Sequence, residues 1–470
     1  MGATEPARRL RRDLGTLESY AVLIGILVGA GIFQVTSAAW SLTGSSVVLG
    51  YLVLAPAVLA TSVPYMVFLS TPLGALPGGE YTHISRTFGD TRIAFVGAWL
   101  KIISYVGALA FLSHAFAGYL LDLLRLADGD IARLGIALAS LGCFYLVHVS
   151  GVRWFGRVQV AMCGLLGISV VALVVPGLLA IRVANYTPVF THGPVGFAAA
   201  LPSLFFAYAG FESLAQTAGE VKDSTRRLPG VFLRGILAVT LIFVSMSAVA
   251  FGVVPGEQLR ASSAPMADVA SVYLPHAMVW IVSLGALMAI TTSLNATMLV
   301  PSRLALVLCA DGLAPRWLGA IEPRTGTPVR GLTLTFLAAS SLLLTGQLAL
   351  ALDIAVLALV VLYFLHSLTL LALPRRNPEL FASRTVPIPV WLQRVAALLS
   401  IFAMGGLIAV QVNQDVRAWQ ETGIVARAIR GELTSLELLA AWSTLGLLVY
   451  AFGPRRRIAS RDSDGESSAS

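Results

Sequence analysis

Two glycine-containing stretches inside apolar segments carry the chemistry that this sequence suggests. One is Gly29-Ala30-Gly31, and the other runs from Ala207 to Glu212 and includes Gly210. Glycine lowers helix propensity and removes side-chain bulk, so a helix can unwind at these points. Unwinding frees backbone N–H groups at half-helix N-termini, which suit a carboxylate, and C=O groups, which suit an ammonium or a metal cation. These residue types predict a binding site formed mainly by backbone groups.

Two charged residues lie within apolar segments. A carboxylate at the centre of a membrane helix costs about 2.5–3.5 kcal/mol on insertion scales, so Glu212 is expected to face a cavity or a partner. Lys101 is either a proton carrier or substrate contact, or a side chain that extends toward the cytoplasmic interface. The sequence leaves these two interpretations open.

No catalytic pattern accompanies these residues. The sequence has no HExxH motif, no phosphate-binding loop and no Ser and His placed for nucleophilic attack. Its three cysteines, Cys143, Cys163 and Cys309, lack metal-ligand or disulfide spacing and are expected to be small core residues. We therefore expect no enzyme, no cofactor and no metal other than a coupling ion.

The elements that must position these groups are membrane-spanning helices. Of 470 residues, 57% are hydrophobic and 12% are charged, against about 25% charged in a soluble protein. Apolar stretches near the roughly 20 residues that cross a bilayer recur along the chain. The sequence therefore predicts an all-α membrane protein of about 12 transmembrane helices. We predict spans at 19–40, 45–70, 92–122, 131–149, 155–181, 196–219, 232–254, 275–308, 330–346, 348–373, 389–412 and 434–452.

The distribution of positive charge predicts the orientation. With the N-terminus inside, 24 of the 32 Lys and Arg residues fall on the cytoplasmic side, where positive residues concentrate. We therefore expect a multi-pass protein of the cell (plasma or inner) membrane with both termini cytoplasmic. The basic residues before the first span also fit a signal peptide, but that span is long enough to cross and many others follow it. The scattered positive residues do not form a nucleic-acid surface.

The glycine breaks fall on the first and sixth spans, which correspond if the chain holds two five-span repeats. Interrupted helices at matched positions point to a transporter site at the bilayer midplane. The alternative is that Gly25 and Gly29, spaced as GxxxG, only let two helices pack closely.

Four local patterns together resemble the amino acid-polyamine-organocation transporter family over about residues 15–450. They are Gly29 to Phe33, Pro77 to Tyr81 with Phe88-Gly89, Phe205 to Glu212 leading to Gly219 to Lys222 and Arg226 to Pro229, and Asn295 with Ser302-Arg303, Asp311 to Leu313, Pro315 and Gly326 to Val329. The resemblance implies an inverted repeat of five plus five helices followed by two extra helices. It divides the chain into a cytoplasmic N-terminal segment (1–17), one transporter domain (18–453, with repeats at about 18–182 and 196–373 and extra helices at about 389–453) and a disordered cytoplasmic tail (454–470).

The resemblance also implies roles for individual residues. The backbone of Gly29, Ala30 and Gly31 is expected to bind the substrate carboxylate, and carbonyls near Ile26, Ala207 and Tyr208 the ammonium. Phe206 is expected to be an aromatic gate, or else ordinary apolar surface. Ala209, Gly210 and Glu212 continue the unwound stretch, and the first two leave room for a substrate side chain.

The coupling ion is less defined. Proton-coupled members often have a lysine on the fifth span, but Leu166 lies near that position, so proton coupling by that route is unsupported. Residues of the eighth span resemble the sodium ligands of relatives that share the fold, and hydroxyls and carbonyls are hard oxygen ligands. The alternative is that these hydroxyls bond their own preceding carbonyls. The candidate coupling-ion residues are Gly25, Val28, Ala289, Thr292, Ser293 and Lys101.

These inferences lead to a secondary transporter, either a symporter or an exchanger, of amino acids or related amines that works by alternating access. A transport-inactive sensor or scaffold subunit with the same fold is the alternative. A channel is disfavoured because no ring-forming filter pattern is present.

Overall fold

The computed structural model describes residues 10–29, 31–32, 36–127, 129–262, 264–346, 348–422 and 433–452, except for the side chains of residues 37, 38, 206, 348–353, 422 and 452. Over these residues the chain is helical, with one isolated bridge between Leu14 and Val221 and no β-strand. Ala30, the Phe206 side chain and the predicted tail at 454–470 lie outside the described residues. The predicted all-α class is confirmed.

Helices account for all twelve predicted spans. Within the described ranges, eight helices are long and apolar enough to cross a membrane, and shorter apolar helices occupy the other positions. The helices of the spans are α1 (Thr16–Leu27), α2 (Thr36–Thr43), α3 (Val47–Leu69), α5 (Arg92–Leu123), α6 (Asp130–Val149), α7 (Val152–Gly177), α8 (Gly193–Tyr208), α9 (Ser213–Gln216), α10 (Ser224–Val253), α13 (His276–Ala310), α14 (Val329–Leu344), α15 (Leu348–Arg376), α17 (Val390–Thr422) and α18 (Ser435–Phe452).

The first and sixth spans are interrupted where the glycines predict. In the first span, α1 ends at Leu27 and α2 begins at Thr36. In the sixth, α8 ends at Tyr208, four residues form a turn, and α9 begins at Ser213. Gly210 within this turn has a φ of +107°, a conformation that L side chains rarely adopt. Each of these spans is therefore two half-helices rather than one rod.

Short helices in the connections are not among the predicted elements. They are α4 (Gly79–Phe88), α11 (Gly256–Ala261), α12 (Pro265–Ser271) and α16 (Pro378–Ala382). Helix α4 has nearly all its residues buried, although its sequence is mostly polar. It lies between the second and third spans along the chain.

The last span packs on the third through two tryptophans. The indole N–H of Trp99 donates to the carbonyl of Trp442 at 2.7 Å, and that of Trp442 donates to the carbonyl of Trp99 at 2.8 Å. Their rings stack with centroids 4.5 Å apart. This reciprocal contact joins α18 to α5.

Candidate functional site

A cavity lies between the two breaks. Its volume is about 50 Å³, below the roughly 300–1,000 Å³ typical of small-molecule sites, so its walls would have to move apart to admit an amino acid. Its described lining comes from both broken spans and from α5, α13 and α15. The lining residues are Ile26, Leu27, Gly29, Gly31, Ser104, Tyr105, Ala108, Leu112, Ala207, Ala209, Gly210, Ser293, Thr297 and Leu359. None of these side chains carries a formal charge at neutral pH.

Six of the predicted substrate-binding residues line this cavity: Ile26, Gly29, Gly31, Ala207, Ala209 and Gly210. Tyr208 is not among the lining residues. Its hydroxyl donates to the carbonyl of Tyr51 at 3.1 Å, and its ring packs on Tyr51 and Phe243. Its side chain is therefore committed to helix packing.

Two glycines of the first span permit close approach of its neighbours. A Cβ added at Gly29 would lie 2.0 Å from Ser293 Oγ, and one added at Gly31 would lie 2.6 Å from the Cα of Ala207. Such distances require a shift of the neighbouring groups. Close packing was the alternative for Gly25 and Gly29; a Cβ added at Gly25 would lie 2.6 Å from Gln159 Nε2, so both positions are closely packed in addition to the helix break.

The carboxylate of Glu212 is fully buried and faces partners, not the open cavity. It accepts hydrogen bonds from the hydroxyls of Tyr105, at 2.6 Å, and Tyr363, and from the backbone N–H of Gly210, at 3.1 Å. We call Tyr105, Glu212 and Tyr363 the carboxylate floor, because Tyr105 and Gly210, which both donate to Glu212, line the cavity. Polar partners of this kind are what a carboxylate at membrane depth requires.

The third and tenth spans contribute residues that the sequence reasoning missed. Ser104, Tyr105, Ala108 and Leu112 lie on one face of α5 at spacings of one, three and four, and Leu359 faces them from α15. This spacing is the helical period that places side chains on one face. The sequence signal for these α5 residues was their helical spacing alone. That spacing does not stand out, because α5 has apolar residues on all its faces.

The predicted coupling-ion residues of the first and eighth spans are in contact. The hydroxyl of Thr292 donates to the carbonyls of Gly25 and Ala289, both at 2.8 Å. The hydroxyl of Ser293 donates to the carbonyls of Gly25, at 3.1 Å, and Ile26, at 2.9 Å. The helix break thus brings several hard oxygen atoms together beside α13. Val28, the remaining candidate from the first span, is fully buried.

Polar side chains support this contact from the fifth span. The amide nitrogen of Gln159 donates to the carbonyls of Ala21, at 3.1 Å, and Thr292, at 3.2 Å, and its oxygen accepts from the amide of Asn295 at 2.8 Å. Leu166, the position without a lysine, is buried farther along the same helix. These bonds fix α1 against α7 and α13.

Lys101 does not extend to the interface, so the snorkelling interpretation is wrong. It is 2% exposed, and its ammonium lies 3.0 and 2.8 Å from the two carboxylate oxygens of Glu80 on α4. The same carboxylate accepts from the hydroxyl of Tyr65 at 2.5 Å and from the amide of Gln216 at 2.8 Å. Burial is possible because the charge is paired and the remaining lone pairs are used. Lys101 is not among the described residues that line the cavity.

A second buried ion pair joins Glu220, after the sixth span, to Arg303 of α13, with a closest distance of 2.8 Å. Two buried histidines are hydrogen-bonded: His148 to the carbonyl of Asn295 at 2.8 Å, and His366 to His83 at 3.0 Å. Cysteine burial was predicted wrongly, because Cys143 is exposed and the other two are half-buried. A cysteine on an apolar helix can face lipid as readily as the core.

Comparison with known proteins gives a consistent result. A family model described as amino acid permease matches residues 14–428. The chain is 26% identical over 348 residues to a branched-chain amino acid permease of Bacillus subtilis (strain 168), covering 70% of this chain and 73% of the relative. It is 25% identical over 410 residues to a methylthioribose transporter of the same organism, covering 83% and 87%. It is 29% identical over 335 residues to a chloroplastic cationic amino acid transporter of Arabidopsis thaliana, covering 67% and 58%.

Proposed function

Because the chain belongs to the amino acid permease family, as its match over residues 14–428 shows, we propose that it carries amino acids with uncharged, mainly apolar side chains across a membrane by alternating access. The observation that carries this proposal is the cavity between the two helix breaks. Backbone from both breaks lines one side, and the described residues of the opposite wall are apolar or hydroxylated.

The two sides of the cavity suit the two parts of an amino acid. Gly29, Ala30 and Gly31 are the proposed carboxylate-binding backbone, and carbonyls near Ile26, Ala207 and Tyr208 the proposed ammonium ligands. The substrate side chain would then lie against Ala108, Leu112 and Leu359, which line the cavity from α5 and α15. A charged side chain placed there would lose water without gaining a counter-ion, which is costly.

Alternating access requires that the cavity can be closed toward each side of the membrane in turn. We propose that the carboxylate floor closes the cavity toward the cytoplasm, because Glu212 lies on the cytoplasmic side of the break in the sixth span if the N-terminus is inside. The bundle that contains the broken spans would rock against the others to expose each face in turn. We also propose that the protein lies in the cell membrane with both termini on the cytoplasmic side. Residues 18–453 would form a single transporter domain, with repeats at 18–182 and 196–373.

The coupling ion is proposed to be either sodium or a proton, and each would use a separate place. Sodium would bind where the carbonyls of Gly25 and Val28 meet Ala289, Thr292 and Ser293, because those groups offer hard oxygens. Lys101 is the corresponding candidate for a proton, and its pairing with Glu80 would have to change during transport. The alternative of a sensor or scaffold without transport has no support in the comparisons.

A thermal-shift screen of the detergent-purified protein tests the substrate class. Ligands that bind only the folded state raise the melting temperature as their concentration exceeds Kd. We expect stabilisation by leucine, isoleucine, valine and methionine, and none by arginine, lysine or glutamate at equal concentration. Stabilisation by methylthioribose alone would favour the activity for which one relative is named. Stabilisation by charged amino acids alone would contradict the assignment of the apolar wall.

A further inference from the structure

A second polar layer lies beside the carboxylate floor, centred on the carboxylate of Glu80. Four elements meet there: Glu80 belongs to α4, Lys101 to α5, Tyr65 to α3 and Gln216 to α9. The side chains of Glu80 and Lys101 are both 1% exposed, and Gln216 is fully buried. The layer therefore joins the second, third and sixth spans and α4 through one buried anion.

Gln216 is the contribution of the sixth span to this layer. Its amide nitrogen donates to Glu80 at 2.8 Å, whereas its amide oxygen is buried with no hydrogen-bond partner among the described residues. The side chain is thus oriented by the carboxylate. Because α9 has only four residues, its own backbone hydrogen bonds hold it weakly.

The glycine at position 79 makes room for this bond. Gly79 has a φ of +45°, and a Cβ built there would lie 2.4 Å from the amide nitrogen of Gln216. Any side chain at this position would displace the amide from Glu80. Two features of the chain, the backbone at Gly79 and the ion pair with Lys101, therefore favour the same contact.

We propose that Gln216 is a positioning residue that holds the cytoplasmic half of the sixth span against α4 and α5 through its hydrogen bond to Glu80. Lys101 lies 2.8 Å from that carboxylate, and hydrogen bonds to a carboxylate paired in this way are among the stronger ones. The bond favours the conformation in which the cavity is closed to the cytoplasm. The inference rests on the proposed alternating access, and it assigns to a neutral amide the contact that must break when the cytoplasmic side opens.

Accessibility of a cysteine at position 213 tests the proposal. Ser213 is 1% exposed, lies three residues before Gln216, and has a hydroxyl without a partner among the described residues, so a thiol fits there. The reporter Ser213→Cys is placed in a background without Cys143, Cys163 and Cys309. Inside-out vesicles are then treated with a maleimide, and the labelling rate is measured.

The variant Gln216→Met removes the amide at nearly constant volume. Hydrogen bonds to charged groups are among the stronger ones, so we expect labelling to accelerate by about tenfold or more. Gln393→Met is the matched control, because Gln393 on α17 is 2% exposed and donates to the carbonyl of Ile388, which precedes that helix, rather than to a residue of this layer. Labelling of Gln216→Met at the rate of the control would overturn the proposal.

The variant Gln216→Glu supplies a readout that a merely structural role would not move. The new carboxylate faces Glu80. The other titratable groups near that anion are Lys101, the hydroxyl of Tyr65, His83 of α4, which is bonded to His366, and Glu212 with its partners Tyr105 and Tyr363. At about pH 8 the two carboxylates repel each other, and at about pH 5 they can share a proton. Relative to the Gln216 protein at each pH, labelling should be fast at the higher pH and near normal at the lower.

The proposal can be tested even if Gln216→Met does not fold, because the pH profile of Gln216→Glu is an independent measurement. A flat profile in Gln216→Glu would reject the proposal. Labelling needs no substrate, so failure to transport any amino acid would sink the proposed function without altering this result. Conversely, if the protein transports leucine but the Gln216 variants are labelled like the Gln216 protein, the proposal about Gln216 fails and the proposed function stands.

Discussion

At the scale of single residues, the first span depends on glycines, whose lack of a side chain lets neighbouring helices approach. Gly29 and Gly31 lie where a methyl group would meet Ser293 and Ala207, respectively. The sequence offered close packing at Gly25 and Gly29 as the alternative to a helix break; the first span is interrupted, and Gly29 is closely packed against Ser293 as well. The lack of a side chain at these glycines thus both exposes the backbone at the break and allows close helix contact.

Replacing Gly29 by alanine should destabilise the protein, because the added Cβ would lie 2.0 Å from Ser293 Oγ. Overpacking of this kind costs about 1–3 kcal/mol, so the melting temperature of the purified protein should fall. Adding Ser293→Ala should recover part of the loss. Gly164→Ala is the control, because nothing lies within 4 Å of a Cβ at that position. Equal melting temperatures for Gly29→Ala and Gly164→Ala would refute the packing argument.

The partners of the buried charges could not be predicted from a single sequence. Lys101 was recognised as unusual, but Glu80 lies 21 positions earlier in a short polar helix, and Tyr363 lies 151 positions after Glu212. Pairing across such separations depends on how helices pack, which hydropathy does not encode. The requirement for a partner could be predicted from the cost of a buried charge, whereas its identity could not.

At the scale of elements, long apolar helices were predictable and short polar ones were not. The spans lie near their predicted positions because some 20 apolar residues in a row admit few other structures in lipid. Helix α4 has ten residues of mixed character, so no hydropathy window finds it. Its burial comes from packing against α5 and α15, and only the folded chain reveals it.

Docking of the last helix gives an element-scale prediction. Trp442→Phe removes one of the two indole donors between α18 and α5 and leaves the carbonyl of Trp99 without that partner. We expect a loss of about 1–3 kcal/mol in stability, seen as a lower melting temperature, with unchanged uptake kinetics per folded molecule. Trp391→Phe is the control, since Trp391 is 66% exposed. A marked loss of transport in Trp442→Phe without any loss of stability would place α18 in the mechanism instead.

At the scale of the whole molecule, the choice of coupling ion can be tested in liposomes. Sodium and proton gradients are imposed separately on the reconstituted protein. The oxygen cluster of Gly25, Thr292 and Ser293 predicts that an inward sodium gradient accelerates uptake and that Thr292→Val, which removes the hydroxyl but keeps the shape, abolishes the acceleration. Acceleration by a proton gradient alone would retire the sodium site and leave Lys101 with Glu80 as the candidates.

The central claim is that two broken helices form one amino acid site. Its most direct test is the uptake of radiolabelled leucine into liposomes by the wild-type protein and by Gly31→Leu. A side chain at position 31 would enter the space of Ala207, since even its Cβ would lie 2.6 Å from the Cα of that residue. We predict saturable uptake by the wild-type protein that valine and methionine compete and arginine does not. Uptake should be absent in the variant, although the variant still inserts and elutes as a folded monodisperse protein. Equal leucine uptake by both proteins, or no saturable uptake of any amino acid by the wild-type protein, would contradict the claim.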